Sequence, residues 1–258
     1  MKTFAAALAA TSALAFAGSA LAAFPGTYGL QGGPPLAGIQ VSGAPGATTI
    51  RLGDREATIP GAYGIPTLIT TQTPLGLFHD GSRFVLQNVG IDTKGSSFVV
   101  VRSADLHVEQ TIRLAGSFAF DALSPSGRML YLIEHRSSDL QHYVVRAYDL
   151  AAHRLLPGRI ADKTQASWVM QGYPAARTGT ANGRWVYTLY SNPGGFPFIH
   201  ALDTVRGVAH CVGIAWQGSQ DPLPQYRLAV RGNRLLVLRP TGGVYRSIDR
   251  TTWAVALK

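Results

Sequence analysis

From Thr48 onward the chain is written in short apolar runs rich in Val, Ile, Tyr and Phe, each closed by Gly, Pro, Asp, Asn or Ser. Such runs and such punctuation predict β-strands. TTIRL, EATI and PTLITTQT come first. Four longer units follow. The first predicts strands at Leu75–Phe78, Arg83–Gln87, Ser97–Arg102 and Glu109–Leu114. The second predicts Phe118–Leu123, Met129–Ile133, Tyr143–Tyr148 and Arg154–Ile160. The third predicts Ala176–Thr180, Trp185–Tyr190, Phe198–Leu202 and Ala209–Trp216, and the fourth Arg227–Val230, Leu235–Arg239, Val244–Ile248 and Trp253–Leu257. No segment of helical length carries a 3.6-residue apolar period, and Ala161–Met170 is expected to form at most one helical turn. Upstream, Gly, Pro, Ala and Ser dominate 24–47, which reads as a loose leader with room for a short strand at Ile39–Val41.

The units repeat. A turn with a basic tail appears as HDGSRFVL, PSGRMLYL, ANGRWVYTL and RGNRLLVL, with glycines at 81, 127, 183 and 232, separated by 46, 56 and 49 residues. A second echo follows each copy, with aspartates at 105, 149, 203 and 249, separated by 44, 54 and 46. Two landmarks that hold phase through four cycles are the mark of propeller blades. The fold class read from the chain is therefore all-β: a β-propeller of four clear blades plus one irregular N-terminal blade, about five in all, each a four-stranded antiparallel sheet. Residues 48–258 form the single propeller domain, after a leader over 23–47.

Each repeated residue has a local reason. Two-residue hairpin turns need positive φ, which glycine supplies. The arginine after each turn (Arg83, Arg128, Arg184, Arg234) begins the next strand at the surface. The four aspartates are placed to accept backbone N–H bonds across a turn. As equivalent residues of separate blades they cannot converge on a metal.

The ends and the charge add a location. Lys2, the apolar stretch from Phe4 to about Ala17 and the small-x-small triplet Ala20-Leu21-Ala22 form an export signal over 1–22, cleaved before Ala23. Neither a lipidation cysteine nor a twin arginine accompanies it, and no other stretch is apolar and long enough to span a bilayer. The protein is thus expected to be secreted or extracytoplasmic, with no transmembrane segment after cleavage. One cysteine, Cys211, excludes an intrachain disulfide; its place in GVAHCVGIAW suits a buried strand residue and a monomer. The formal charge of +9 comes almost wholly from scattered arginines. It favours anionic partners such as a cell-wall polymer, or an envelope or extracellular protein, and lacks the clustered, aromatic-interleaved stripe of a specific nucleic-acid binder.

SPSGRMLYLIEH followed by YVVRAYDLAAHRLL, and NGRWVYTLYSN followed by FIHALDTVRGVA, resemble the repeat of the YVTN and WD40-like bacterial β-propellers. The resemblance runs from about Leu75 to Lys258. It implies the fold and carries no activity. Seven blades are usual in that family, and this chain is too short for seven. The chain is also similar to exported propeller proteins of actinobacterial type.

Candidate chemistry lies in the loops between second and third strands and in the blade connections, where propellers bind ligands. The loop from Glu134 to His142 offers two carboxylates, two imidazoles and a guanidinium, with Glu134, His135 and Arg136 as its leading candidates. Asp92 sits in the corresponding loop of the first unit and Arg239 in that of the fourth. Asp121 and Arg177 fall on inner strands facing the channel, where they could pair. Tyr190, Trp168, Trp216 and Tyr226 flank loops and could floor a flat ligand or simply pack. No G-x-S-x-G elbow, phosphate-binding loop, CxxC pair or HExxH is present. The reading is an exported, non-catalytic propeller that binds through its channel face, with no resident cofactor. The alternative is a hydrolase or lyase on lactone or carbohydrate substrates, assisted by a divalent metal near Glu134, His135 and Asp92.

Overall fold

The computed structural model describes residues 26–44, 46–90, 94–136, 140, 142–160, 169–192 and 194–257. The export signal, Asp92 and residues 161–168 of the turn expected over Ala161–Met170 lie outside the described residues, and Met170 is in a strand.

Every sheet among the described residues is antiparallel, and units two to four fold in the predicted strand order. Unit two is β10 (Phe118–Leu123), β11 (Met129–His135), β12 (His142–Asp149) and β13 (Arg154–Leu155), with β14 (Met170–Gln171) also on β12. Unit three is β15 (Pro174–Gly179), β16 (Trp185–Tyr190), β17 (Phe198–Asp203) and β18 (Val208–Gly213). Unit four is β19 (Arg227–Arg231), β20 (Arg234–Leu238), β21 (Val244–Asp249) and β22 (Val255–Leu257). The outer strand expected over Arg154–Ile160 is short, because only Arg154 and Leu155 pair with β12 before Pro157 and Gly158 turn the chain. Ile160 returns as a single bridge to Val145.

Unit one departs from the sequence reading at its inner edge. Its β7 (Arg83–Asn88), β8 (Gly95–Arg102) and β9 (Val108–Ala115) stand where predicted. The expected inner strand Leu75–Phe78 meets only the first half of β7, through the Leu77–Phe84 bridge and bonds from Phe78 N to Arg83 O and from Val85 N to Gly76 O. The second half of β7 pairs with Tyr63 and Gly64 of β5 (Tyr63–Leu68). β5 in turn pairs with β1 (Tyr28–Leu30) and with β6 (Thr73–Pro74). Part of the expected leader is therefore strand. Gly29 makes this arrangement feasible: a Cβ there would lie 2.2 Å from the Gln87 carbonyl oxygen, so only glycine lets the two backbones approach. The hydroxyl of Thr27 lies 3.0 Å from both Gln87 Oε1 and Phe120 O, and Gln87 Nε2 donates to Thr27 O at 3.1 Å.

The irregular N-terminal unit is a three-stranded meander, β2 (Ile39–Ala44), β3 (Ala47–Leu52) and β4 (Arg55–Pro60). The five sheets stack in chain order. Ile39, Val41, Ile50 and Ile59 of the meander pack on Phe84, Leu86, Val99 and Val101 of unit one. The other face of unit one, with Val85, Phe98 and Val100, packs on Phe118, Leu130 and Leu132 of unit two. Tyr131, Ile133 and Val145 then face Tyr190, Phe198 and Leu202 of unit three, and Leu189, Ile199 and Ala201 face Leu228, Leu235 and Ile248 of unit four. Strand alternation explains this: the central strands of units one to three are apolar on both faces because each face meets a neighbouring sheet.

Candidate functional site

The phase of the repeat has a bonded cause. At the turn end of each sheet, the residue two after the turn glycine pairs with the aspartate of the second echo: Met129 with Asp149, Trp185 with Asp203, Arg234 with Asp249. One oxygen of each aspartate accepts the backbone N–H groups two and three residues on, as in Ala151 and Ala152 at 3.0 Å. The other oxygen takes the arginine that follows the glycine: Arg128 Nη2 lies 2.9 Å from Asp149 Oδ2, and Arg184 Nη2 lies 2.8 Å from Asp203 Oδ2. In unit four Arg234 stands off at 3.9 Å and Asn233 bonds both oxygens of Asp249. These arginines are thus tied as well as exposed.

Unit one corrects the alignment. Arg83 pairs with Arg102, so Arg102 and not Asp105 occupies the aspartate position. The left-handed residue four further on confirms the frame: Leu106 matches His153, Gly207 and Trp253. Asp105 restores the interaction from a new place, accepting from Arg102 Nε at 2.9 Å and Nη2 at 2.7 Å.

At the inner edges, Asp121 on β10 and Arg177 on β15 meet. The guanidinium bonds both the carboxylate and the main-chain oxygen of Asp121, and its Nε donates to Thr188 Oγ1 at 2.9 Å. Their side chains are 3% and 7% exposed, so this is a buried ion pair joining two blades, not an open channel lining. Asp121 reaches it because the register slips between Phe120 and Ala122, and such a bulge re-aims the extra side chain.

At the opposite, loop end, β11 separates the leading candidates. Glu134 faces unit one beside Val144 and Arg146. Arg136 Nη1 lies 3.0 Å from its Oε1, and Arg146 Nη1 bonds its Oε2. His135, the next residue, points to the other face, where it is 8% exposed and its ring tilts against Tyr143 at 6.5 Å. Neighbouring strand residues face opposite ways, so the two cannot serve one site directly. Tyr190 belongs to the core, stacked on Phe198 at 5.2 Å and on Tyr143 at 5.5 Å. Arg239 lies 5.2 Å over the Tyr245 ring and donates to Val244 O. Trp216 and Tyr226 pack edge-on with Tyr245 at 4.9 and 5.6 Å, and Trp168 lies outside the described residues. Cys211 on β18 is half-buried, its sulfur 3.7 Å from His200 Nδ1. Among the described residues, no three His, Cys, Asp or Glu side chains are grouped as metal ligands.

The titrating groups fix an acid response. Burial lowers His135 from 6.5 to about 4. As pH falls through 6.5, the unfolded chain takes up this proton and the folded chain does not, so stability drops between about 6.5 and 4. The Arg102 bond holds Asp105 at about 2. Asp149 is lowered by Arg128, and Asp249 by the Thr252 and Thr251 amides. Asp203 is lowered as well: burial pushes it up, but Arg184 and the amides of Arg206 and Val205 outweigh that. Stability gained above the ordinary carboxylate range is therefore lost as these groups protonate below about pH 4. The melting temperature should fall in both windows, and His135→Gln should flatten only the upper one. An unchanged upper slope in that variant would assign the loss to other groups.

No family model matches the chain, and no curated protein matches it in sequence. Solved structures match in fold. Dihydro-heme d1 dehydrogenase NirN is 14% identical with a TM-score of 0.51, over 89% of this chain and 48% of that one. BamB from Moraxella catarrhalis is 16% identical with a TM-score of 0.48, over 86% and 61%. A putative 6-phosphogluconolactonase from Bacteroides uniformis is 15% identical with a TM-score of 0.47, over 85% and 66%. The chain spans about half to two thirds of the length of each. At these identities the likeness is one of fold: the chain is an all-β protein of propeller type. No helix among the described residues is long and apolar enough to cross a membrane.

Proposed function

We propose that the protein is an exported propeller that binds an anionic partner at the loop end of its sheets and performs no chemistry on it. One observation carries this reading. Arg128 and Arg184 at the turn end and Arg177 between the inner strands are paired with aspartates that hold the fold, whereas Glu134, Arg136 and Arg146 gather around an open cavity at the loop end. The formal charge of +9 favours the same class of partner, an anionic cell-wall polymer or an acidic patch on an envelope protein. The alternative, a metal-assisted hydrolase or lyase on a lactone or carbohydrate, needs Glu134 and His135 in one site, and β11 turns them to opposite faces.

The test uses the mature chain, residues 23–258. It should co-sediment with an anionic wall polymer at low salt, be released as salt rises, and lose retention in Arg136→Ala. Its melting temperature should not change with EDTA. A stoichiometric metal whose removal lowers that temperature, together with lactone turnover, would overturn the reading. Export is checked separately, by fractionating cells that express the chain with and without residues 1–22.

A further inference from the structure

The loop-end cavity has a more specific character than general basicity. It encloses about 380 Å³ and is lined by Glu134, Arg136, Arg146 and Arg159, with Val144 and Val169 as apolar wall. Among the described residues three guanidiniums line the cavity with one carboxylate, a net charge of about +2 with Glu134 ionised. Glu134 is already divided, one oxygen to Arg136 and the other to Arg146. The guanidinium of Arg146 is held in place by a 2.9 Å bond to the Leu156 carbonyl. Its Nε is buried and has no hydrogen-bond partner. Arg146 is therefore anchored through Nη1 and Nη2 alone, which fixes its guanidinium in the cavity wall. Arg159 lines the same cavity from the connection after β13, is exposed, and bonds no side chain among the described residues.

We propose that this cavity is a binding site for a phosphate monoester dianion. The inference rests on the binding reading above and names its ligand chemistry. The doubly negative head group matches the net charge of the site. Its oxygens match the paired N–H donors of guanidinium, which bind phosphate in a forked geometry where a lysine would act as a point charge. The volume exceeds that of a bare phosphate and suits a small organic phosphate, whose carbon portion would lie against the two valines.

Isothermal titration at pH 7.5 tests it, with glycerol 3-phosphate, inorganic phosphate and dimethyl phosphate as probes. Glycerol 3-phosphate should bind saturably at one site per chain. Dimethyl phosphate, a monoanion, should bind about tenfold more weakly, the worth of one charge-assisted bond. Inorganic phosphate separates the sources: equal affinity would assign the site to the free ion, and weaker affinity to the ester. Arg159→Ala removes an exposed guanidinium with no side-chain partner among the described residues and should weaken binding about tenfold without changing the melting temperature. Glu134→Gln should tighten binding, because it removes the one opposing charge among the described residues that line the cavity. Arg206→Ala, an exposed arginine at the turn end, should change nothing. The proposal is overturned by the absence of saturable heat up to about 10 mM ester, or by an Arg206→Ala effect equal to that of Arg159→Ala. Retention on the wall polymer with no ester binding would overturn this site alone and leave the binding reading standing.

Discussion

Arg177→Ala should be among the most destabilising single substitutions in the chain. It leaves the Asp121 carboxylate, 3% exposed, between two blades with its cation gone. Removing one member of a buried ion pair costs about 3–5 kcal/mol, because the remaining charge keeps its desolvation penalty. Here the loss is compounded: the same guanidinium also serves the Asp121 carbonyl and Thr188. Urea denaturation should show a lower midpoint with an unchanged slope, the mark of lost stability and not of a new denatured state. The control is the double variant Asp121→Ala/Arg177→Met, which removes both charges and keeps some apolar volume. It should be more stable than Arg177→Ala alone, since an absent pair costs less than a broken one. A single variant within about 1 kcal/mol of the parent would mean that water reaches the pair in solution.

That pair shows how far the sequence could be read. Strand periodicity put Asp121 and Arg177 on inner strands with the option of pairing, because the FAFDAL and ARTGT runs sit at the same point in consecutive units. It could not show that the pair is buried, since the bulge that aims Asp121 is a register slip with no signature in composition. The repeat behaved similarly. The turn glycines and echo aspartates were legible as spacings, but the Arg128–Asp149 and Arg184–Asp203 bonds join residues about twenty apart, and only the hairpin register brings them together. Where unit one exchanged its aspartate for Arg102, the spacing pointed to Asp105, and a backbone angle was needed to recover the frame. Strands β1 and β6 were hidden for another reason: two or three residues are too few to display a period. At the candidate site, Glu134, His135 and Arg136 were read as one polar loop. The last turn of pairing on β11 extends through His135, and that extension sends the imidazole into the core while Glu134 stays with the arginines.

Gly127→Val should rank with the loss of Arg177, and two further glycine variants show why. All four turn glycines hold positive φ, between 53° and 69°. For a residue with a side chain this conformation costs roughly 1–2 kcal/mol, and a β-branched one is penalised further. At Gly232 nothing lies within 4 Å of an added Cβ, so Gly232→Ala carries the backbone strain alone. At Gly127 the Cβ would also come within 2.8 Å of Phe78 Cδ1 and 2.7 Å of Arg83 Nη2. Arg83 can swing away, although it would give up its place 4.2 Å over the Phe78 ring. Phe78 cannot yield as easily, being 2% exposed and packed between unit one and unit two. Displacing a core aromatic adds about 1–3 kcal/mol of overpacking to the strain. Gly127→Ala should therefore melt several degrees below Gly232→Ala, at about 2–4 °C per kcal/mol for a domain of this size. Gly127→Val should be lower again. Equal melting of the two alanine variants would mean that Phe78 repacks at no cost, and that the junction between the first two repeat units is looser than its contacts require.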